Sequence, residues 1–260
     1  MLEKRVNQLD LSIDKAIRLL NRSRYAVALT GAGISTPSGI PDFRSSRYGL
    51  WEQVDPMEVA TIMAFKQFPE RFYNWIRPLL RQILDAHPNP AHIALAHLEQ
   101  YGPLRAVITQ NIDMLHAKAG SRNICELHGH LRLMSCLQCM AQFEAERFLP
   151  VVMEQAQVPR CPSCGGLLKP DVVLFGELLP MEELMRAEQH VRACDLMLVA
   201  GSSLEVSPAG DLPWKAKQGG ASLIIVNLSE THLDYLADVV IRGDVAEMLP
   251  RLAEPFLPRT

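Results

Sequence analysis

Residues 25–44 read YAVALTGAGISTPSGIPDFR, and this stretch decides the fold. The run Tyr25–Thr30 is apolar and partly β-branched, and it ends in Gly31-Ala32-Gly33. Such a run predicts a buried strand entering a loop whose missing side chains let backbone N–H groups approach a phosphate. The spacing departs from G-x-G-x-x-G, because Thr36 stands where the third glycine belongs and the next glycine is Gly39. The loop is therefore dinucleotide-like without being a standard dehydrogenase loop. Pro41-Asp42-Phe43-Arg44 then supplies a rigid turn, a carboxylate, a ring and a guanidinium where a dehydrogenase would already be in its first helix. Those groups predict a loop that touches the reactive end of a ligand as well as its phosphates.

Outward from this stretch, strand-like runs recur at Tyr25–Thr30, Arg105–Thr109, Asn123–Leu127, Asp171–Leu174, Leu196–Ala200, Ser222–Asn227 and Val239–Ile241. Helical patterns separate most of them, which predicts an α/β fold with a parallel sheet covered on both faces. Two segments interrupt the alternation. The first, about 45–75, is helical and carries Tyr48, Trp51, Phe65, Phe68, Phe72 and Tyr73; the second, about 130–169, carries paired cysteines. Both read as excursions that pack together beside the sheet as a small second domain and leave a cleft between the two, where ligands of α/β proteins sit. The proline-rich tail after Pro250 reads as a frayed end.

A length of 260 residues is ample for a continuous core and calls for no partner chain to complete it. With 26 basic and 29 acidic residues the net charge is -3, so no global field favours a polyanion, and nucleic-acid binding is not expected. Residues 1–20 alternate charge with Leu9, Leu11, Ile13, Ile17 and Leu20, the pattern of an amphipathic surface helix rather than a signal peptide. No apolar stretch approaches the ~20 residues of a membrane span. A soluble, cytoplasmic protein is the simplest expectation.

Four of the six cysteines form two C-x-x-C pairs, Cys136/Cys139 and Cys161/Cys164, separated by a polar, helical stretch. Each short turn presents two sulfurs to one tetrahedral centre, so the pattern predicts a four-thiolate zinc site with no open position, structural rather than catalytic. Disulfides would need an oxidising compartment, and a thioredoxin-like role needs only one pair. Cys125 and Cys194 lie in apolar contexts and read as buried small hydrophobes.

Three further clusters follow strand-like runs. Thr109-Gln110-Asn111-Ile112-Asp113 places amides and a carboxylate where they reach a ribose or a carboxamide, although Asn111 or Asp113 could equally cap a helix. Leu127-His128-Gly129-His130 sets imidazoles beside a glycine; a general base and a solvated loop histidine are both open. Gly201-Ser202-Ser203-Leu204-Glu205-Val206 reads as a second phosphate loop or as a tight turn. Glu205 occupies the place of the final glycine of a nucleophile elbow, which removes the main support for a serine hydrolase.

Together these elements resemble the sirtuin family of NAD-dependent protein lysine deacylases over nearly the whole chain. GAGIS at 31–35, GIPDFR at 39–44, TQNID at 109–113, LHG at 127–129, the two cysteine pairs, FGE at 175–177, GSS at 201–203 and Val226-Asn227 stand in the family's order. The resemblance implies a Rossmann-like NAD-binding domain from 1–44, 76–129 and 170–260. It also implies a small domain made of the 45–75 helical module and the 130–169 zinc module. Ala32, Gly33, Ser35, Thr36, Phe43 and Arg44 would line the cofactor loop, Gln110 would meet the nicotinamide ribose, and Asn111, Ile112 and Asp113 would surround the nicotinamide. Ser202, Ser203, Asn227 and the backbone near Val245 would hold the phosphates and adenosine half, while Val173, Phe175 and Val206 would line an acyl-lysine tunnel. His128 would be the general base that activates the ribose hydroxyls, giving nicotinamide, free lysine and O-acyl-ADP-ribose from NAD and an acyl-lysine protein or peptide.

Sirtuins that prefer succinyl or malonyl lysine carry Tyr-x-x-Arg in the helical module. Here Tyr73 is followed at that position by Ile76, and Arg77, one residue late, is turned by about 100° on a helix. The resemblance therefore implies a neutral acyl group, acetyl first. A mono-ADP-ribosyltransferase or NAD hydrolase would use the same cleft, and a non-catalytic zinc-ribbon binding module is the rival from another class.

Overall fold

The computed structural model of the chain describes residues 2–42 and 54–258. In chain order the helices and strands are α1 (Leu2–Arg22), β1 (Ala26–Thr30), α2 (Pro56–Val59), α3 (Ile62–Gln67), α4 (Pro69–Asp85), α5 (Pro90–Tyr101), β2 (Leu104–Thr109), α6 (Leu115–Lys118), β3 (Ile124–Glu126), β4 (Gly129–Cys136), β5 (Gln142–Glu144), β6 (Leu168–Val172), α7 (Met181–Ala193), β7 (Leu196–Ala200), α8 (Leu212–Gln218), β8 (Ser222–Asn227), β9 (Val239–Arg242) and α9 (Val245–Ala253). Among the described residues no helix is long and apolar enough to cross a membrane.

Six strands form a parallel sheet in the order β3-β2-β1-β7-β8-β9. Alternate residues of its apolar strands point to opposite faces, and each face finds a cover. Ala26, Ala28, Leu196, Leu198, Ile224 and Val226 bury one face under α1, α5 and α9. Val27, Leu29, Met197, Val199, Leu223 and Ile225 bury the other under α7 and α8. The tail expected to fray is instead part of the first core: α9 runs through Pro250 to Ala253, with Leu252 and Ala253 buried and Phe256 packed against them.

The run at 171–174 does not join this sheet. Strand β6 ends at Val172 and pairs antiparallel with β4 in a separate three-stranded sheet of order β5-β4-β6. Pro170 lies inside β6 and lacks an N–H, so the strand suits an edge and not the middle of a parallel sheet. A third apolar cluster joins this small sheet to α3 and α4, through Phe65, Phe72, Tyr73, Ile76, Leu79 and Ile83 on the helices and Met134, Leu168 and Val172 on the strands. Helix α4 is continuous through residues 75 and 76.

The parallel order reverses between β1 and β7, since the chain moves outward from β1 to β2 and β3 and from β7 to β8 and β9. Thr30 is level with both Thr109 and Ala200, so the loops leaving β1, β2 and β7 emerge side by side at the carboxyl edge. That switch point is where an open α/β sheet leaves a crevice.

Candidate active site

The loops after β1 and β7 are packed backbone to backbone. The N–H of Gly33 donates to the Gly201 carbonyl at 2.9 Å, and that of Gly31 to the Ala200 carbonyl at 3.3 Å. A Cβ on Gly33 would stand 2.9 Å from the Gly201 oxygen, and one on Gly201, whose φ is +62°, would stand 2.3 Å from the Ile34 nitrogen. The glycines at 33 and 201 are thus required by each other as well as by any ligand. Asn89, the cap of α5, donates through Nδ2 to the Ile34 carbonyl at 2.8 Å and ties that helix to the loop.

Behind the loop lies a polar cluster. Ser35 donates to Asp113 Oδ2 at 2.6 Å, Asp113 Oδ1 accepts from the Leu115 N–H at 2.9 Å, and Asn111 Nδ2 donates to Ser35 Oγ and to the Gly31 carbonyl. Burial pushes the Asp113 carboxyl above its ordinary pKa, opposed by the Ser35 hydroxyl and the Leu115 N–H. Beneath it, Thr30 Oγ1 donates to Thr109 Oγ1 and contacts His116 Nε2, each at 2.9 Å, and His116 meets the His92 ring with centroids 4.9 Å apart. Both imidazoles are held neutral by burial, His92 pushed down to about 4 and His116 to about 3.

His128 stands at the mouth of this arrangement. Its Nδ1 is 2.9 Å from the Gln110 carbonyl, which can only accept, so Nδ1 carries a proton there. The Gln110 side chain donates to Ser202 Oγ at 2.9 Å, and Asn227 Nδ2 donates to the Ser202 carbonyl at 3.2 Å. One network therefore spans the ends of β2, β7 and β8.

A cleft of about 730 Å³ opens over these groups. Of the residues expected there, Ala32, Gly33, Thr36, Gln110, Asn111, Ile112, His128, Val173, Phe175, Ser202, Ser203, Val206, Asn227 and Val245 line it. Ser35 and Asp113 sit one layer behind, and Phe43 and Arg44 lie outside the described residues. Among the site residues not foreseen, Phe72, Trp75, Ile76 and Leu79 of α4 wall one side. Their i, i+3, i+4, i+7 spacing marks a single helical face in the sequence, but not the cavity that face looks into.

The cleft suits a dinucleotide. Amide and hydroxyl donors from Gln110, Ser202 and Ser203, with the Asn227 amide oxygen and the Glu230 and Asp244 carboxylates as acceptors, match a ligand bearing phosphates and ribose hydroxyls, and the volume is ordinary for such a site. The four cysteines of the two knuckles also converge. Their sulfurs lie within 4.8 Å of one another, with Cys136–Cys164 at 3.5 Å and Cys139–Cys161 at 3.6 Å. A tetrahedral zinc with bonds near 2.3 Å places its sulfurs about 3.8 Å apart, so Cys136, Cys139, Cys161 and Cys164 fit that ion. The N–H groups of Gln138, Cys139 and Gly166 point at the sulfurs and would stabilise thiolates.

The family model described as Sir2 family matches residues 31–208, which contain both loops, His128 and all four cysteines. The chain belongs to the Sir2 family. This Sir2 chain is 48% identical over 250 residues to the NAD-dependent protein deacetylase of Sulfurisphaera tokodaii, covering 96% of this chain and 98% of that protein. It is 47% identical over 243 residues to NAD-dependent protein deacylase 2 of Archaeoglobus fulgidus, covering 93% and 95%. A Sir2 structure solved with a propionylated peptide superposes with a TM-score of 0.85 at 42% identity, covering 94% of this chain and 98% of that one.

Proposed function

We infer that this Sir2 chain is an NAD-dependent protein lysine deacylase that consumes NAD and carries one structural zinc. The observation that supports it most is the meeting, in one cleft, of a dinucleotide-binding edge, an imidazole with its Nδ1 proton held by a carbonyl and an apolar wall. NAD supplies the activated ribose that receives the acyl group. The residues of the chain do the rest. Gly33, Thr36, Ser202, Ser203, Asn227 and Val245 hold the nucleotide, while Gln110 meets the reactive ribose and Asn111 and Ile112 surround the nicotinamide. Asp113 acts through Ser35 and the Leu115 N–H to fix the nicotinamide pocket from behind. His128 accepts a ribose hydroxyl proton at Nε2 while the Gln110 carbonyl holds Nδ1. Val173, Phe175 and Val206 grip the acyl-lysine of a protein or peptide. The chain divides into the large and small domains in the order the resemblance implies, but the boundaries at 75/76 and 169/170 shift to the ends of α4 and β6, because α4 runs unbroken to Asp85 and β6 pairs with β4.

The acyl group is neutral, acetyl first. Tyr73 is nearly inaccessible and its hydroxyl already donates to the Leu168 carbonyl at 2.8 Å. Arg77 is spent on the Val152 carbonyl and on Asn74 Oδ1. Ile76 is what α4 presents to the cleft at that level, so among the described residues α4 offers no cation there to an acyl carboxylate.

Mass spectrometry of the products from NAD and an acetyl-lysine peptide tests the reading. Wild type should yield nicotinamide, O-acetyl-ADP-ribose and free lysine, and His128→Ala should bind NAD yet lose deacylation. Near-normal turnover by that variant would remove His128 from its role. ADP-ribose formed at the same rate without peptide would favour a hydrolase.

A further inference from the structure

The segment Val173–Glu177 carries two of the side chains assigned to the acyl-lysine, and its backbone is tied on several sides. Val173 N–H donates to the His128 carbonyl at 2.8 Å, Phe175 N–H to the Ala60 carbonyl at 2.9 Å, and Ile62 N–H to the Phe175 carbonyl at 3.0 Å. A further tie is ionic. Lys169 in β6 is only 7% exposed, and its Nζ donates to the Val172 carbonyl at 2.7 Å, to the Pro170 carbonyl at 3.2 Å, and to Glu177 Oε2 at 3.0 Å. Three acceptors match the three protons of an ammonium. The same Oε2 accepts from the Leu174 N–H at 2.8 Å. A buried ammonium is tolerated where such partners replace water, so this lysine is costly to leave half-satisfied and holds its partners in place.

We propose that Lys169 and Glu177 are a positioning pair for the acyl-lysine. They pin the entrance of the 173–177 segment to its exit, and so set the sleeve made by Val173 and Phe175 in register with His128. Glu177 lines the cleft and Lys169 does not, so Lys169 acts through the segment and not on the reacting atoms. The nucleotide is held elsewhere, by the ends of β1, β2, β7 and β8. A pair that served only the fold would alter NAD and peptide kinetics alike, whereas a positioning pair alters the peptide.

The inference rests on the deacylase reading, and steady-state kinetics on the full chain separate the two. Lys169→Met keeps the stem and removes the charge; Glu177→Gln keeps an acceptor for the Leu174 N–H and breaks the ion pair. Each should raise KM for an acetyl-lysine peptide about tenfold, while KM for NAD stays within about twofold, and Lys169→Arg should restore most of the loss. An unchanged peptide KM in Glu177→Gln, or an equal rise in both KM values, would overturn the proposal. If Lys169→Met does not fold, Glu177→Gln carries the test alone. Wild type that fails to deacylate the peptide would sink the deacylase reading and the pair with it; wild-type turnover with an unmoved peptide KM would sink only the pair.

Discussion

His116→Gln probes the buried floor beneath the nucleotide loops. His116 is 2% exposed, its Nε2 reaches Thr30 Oγ1, and among the described residues its Nδ1 makes no hydrogen bond. An imidazolium would need acceptors on both nitrogens, and this floor offers one hydroxyl and a second imidazole. Burial, with the neighbouring His92 adding to it, therefore lowers the His116 pKa from 6.5 to about 3; burial alone lowers that of His92 to about 4. In the unfolded chain both rings titrate near their ordinary value. Between that value and about 4 the unfolded state binds more protons than the folded one, so stability falls as pH falls. Each ring contributes up to about 1.4 kcal/mol per pH unit in that window. His190, also lowered by burial, acts in the same direction, and Asp113, raised by burial, acts in the opposite one.

Glutamine keeps an N–H donor near the Nε2 position and does not titrate, so subtracting the variant from wild type isolates His116. At neutral pH the variant should be less stable by about 1–2 kcal/mol through lost ring packing. From about pH 6.5 to about pH 4.5 wild type should lose about 2.3 kcal/mol more than the variant, so the two stability curves converge and cross. Urea unfolding followed by tryptophan fluorescence and far-UV circular dichroism, at fixed ionic strength, measures both. Parallel curves across that range would mean that His116 is charged in the folded protein, and the account of the floor would be wrong.

Gly201→Ala forces a side chain into the left-handed region and against the Ile34 nitrogen, so it should cost about 3 kcal/mol in stability and weaken NAD binding more than tenfold; calorimetry that finds wild-type Tm and affinity would contradict the packing of the two loops. Metal analysis should find one zinc per chain, and chelation should lower Tm, because Cys136 and Cys161 belong to the third apolar cluster; a Tm indifferent to zinc would make the knuckles dispensable. Succinyl-lysine peptide should turn over at least about tenfold more slowly than acetyl-lysine peptide, since among the described residues α4 sets Ile76 and no cation beside its carboxylate. Ile76→Arg should narrow that gap. Faster succinyl than acetyl turnover by wild type would overturn the neutral-acyl assignment.

Much of the site was legible because its parts are local. A glycine loop after a strand, an amide-rich strand end and a pair of cysteine knuckles each declare their chemistry within a few residues of sequence. What was hidden depends on juxtaposition. The 171–174 run has the composition of a buried parallel strand, and only the ladder that Pro170 cannot complete sends it to the edge of a second sheet. The apolar face of α4 was visible as a period, yet whether it met a core or a cavity depended on how β6 and the ends of β1 and β2 faced it. His92 and His116 lie far apart in sequence and carry no motif as a pair. Their contact exists because α5 and α6 both pack behind the ends of β1 and β2.

That division bears on how the reaction is assembled. The nucleotide edge belongs to the parallel sheet, and the acyl segment is anchored to the small sheet and to the helical module through Ala60 and Ile62. His128 is keyed to both. Its ring donates to the Gln110 carbonyl at the end of β2, its own carbonyl accepts from the Val173 N–H, and the residue before it, Leu127, donates its N–H to the Thr109 carbonyl. A shift of either half therefore moves the His128 imidazole relative to the other half. The Gln110 carbonyl fixes the proton on Nδ1, and two backbone bonds fix the place of the residue. On the proposed assignment of His128 as the base, proton transfer is competent only when the nucleotide edge and the proposed acyl sleeve are held in register, which is why the bonds that set that register matter as much as the groups that line the cleft.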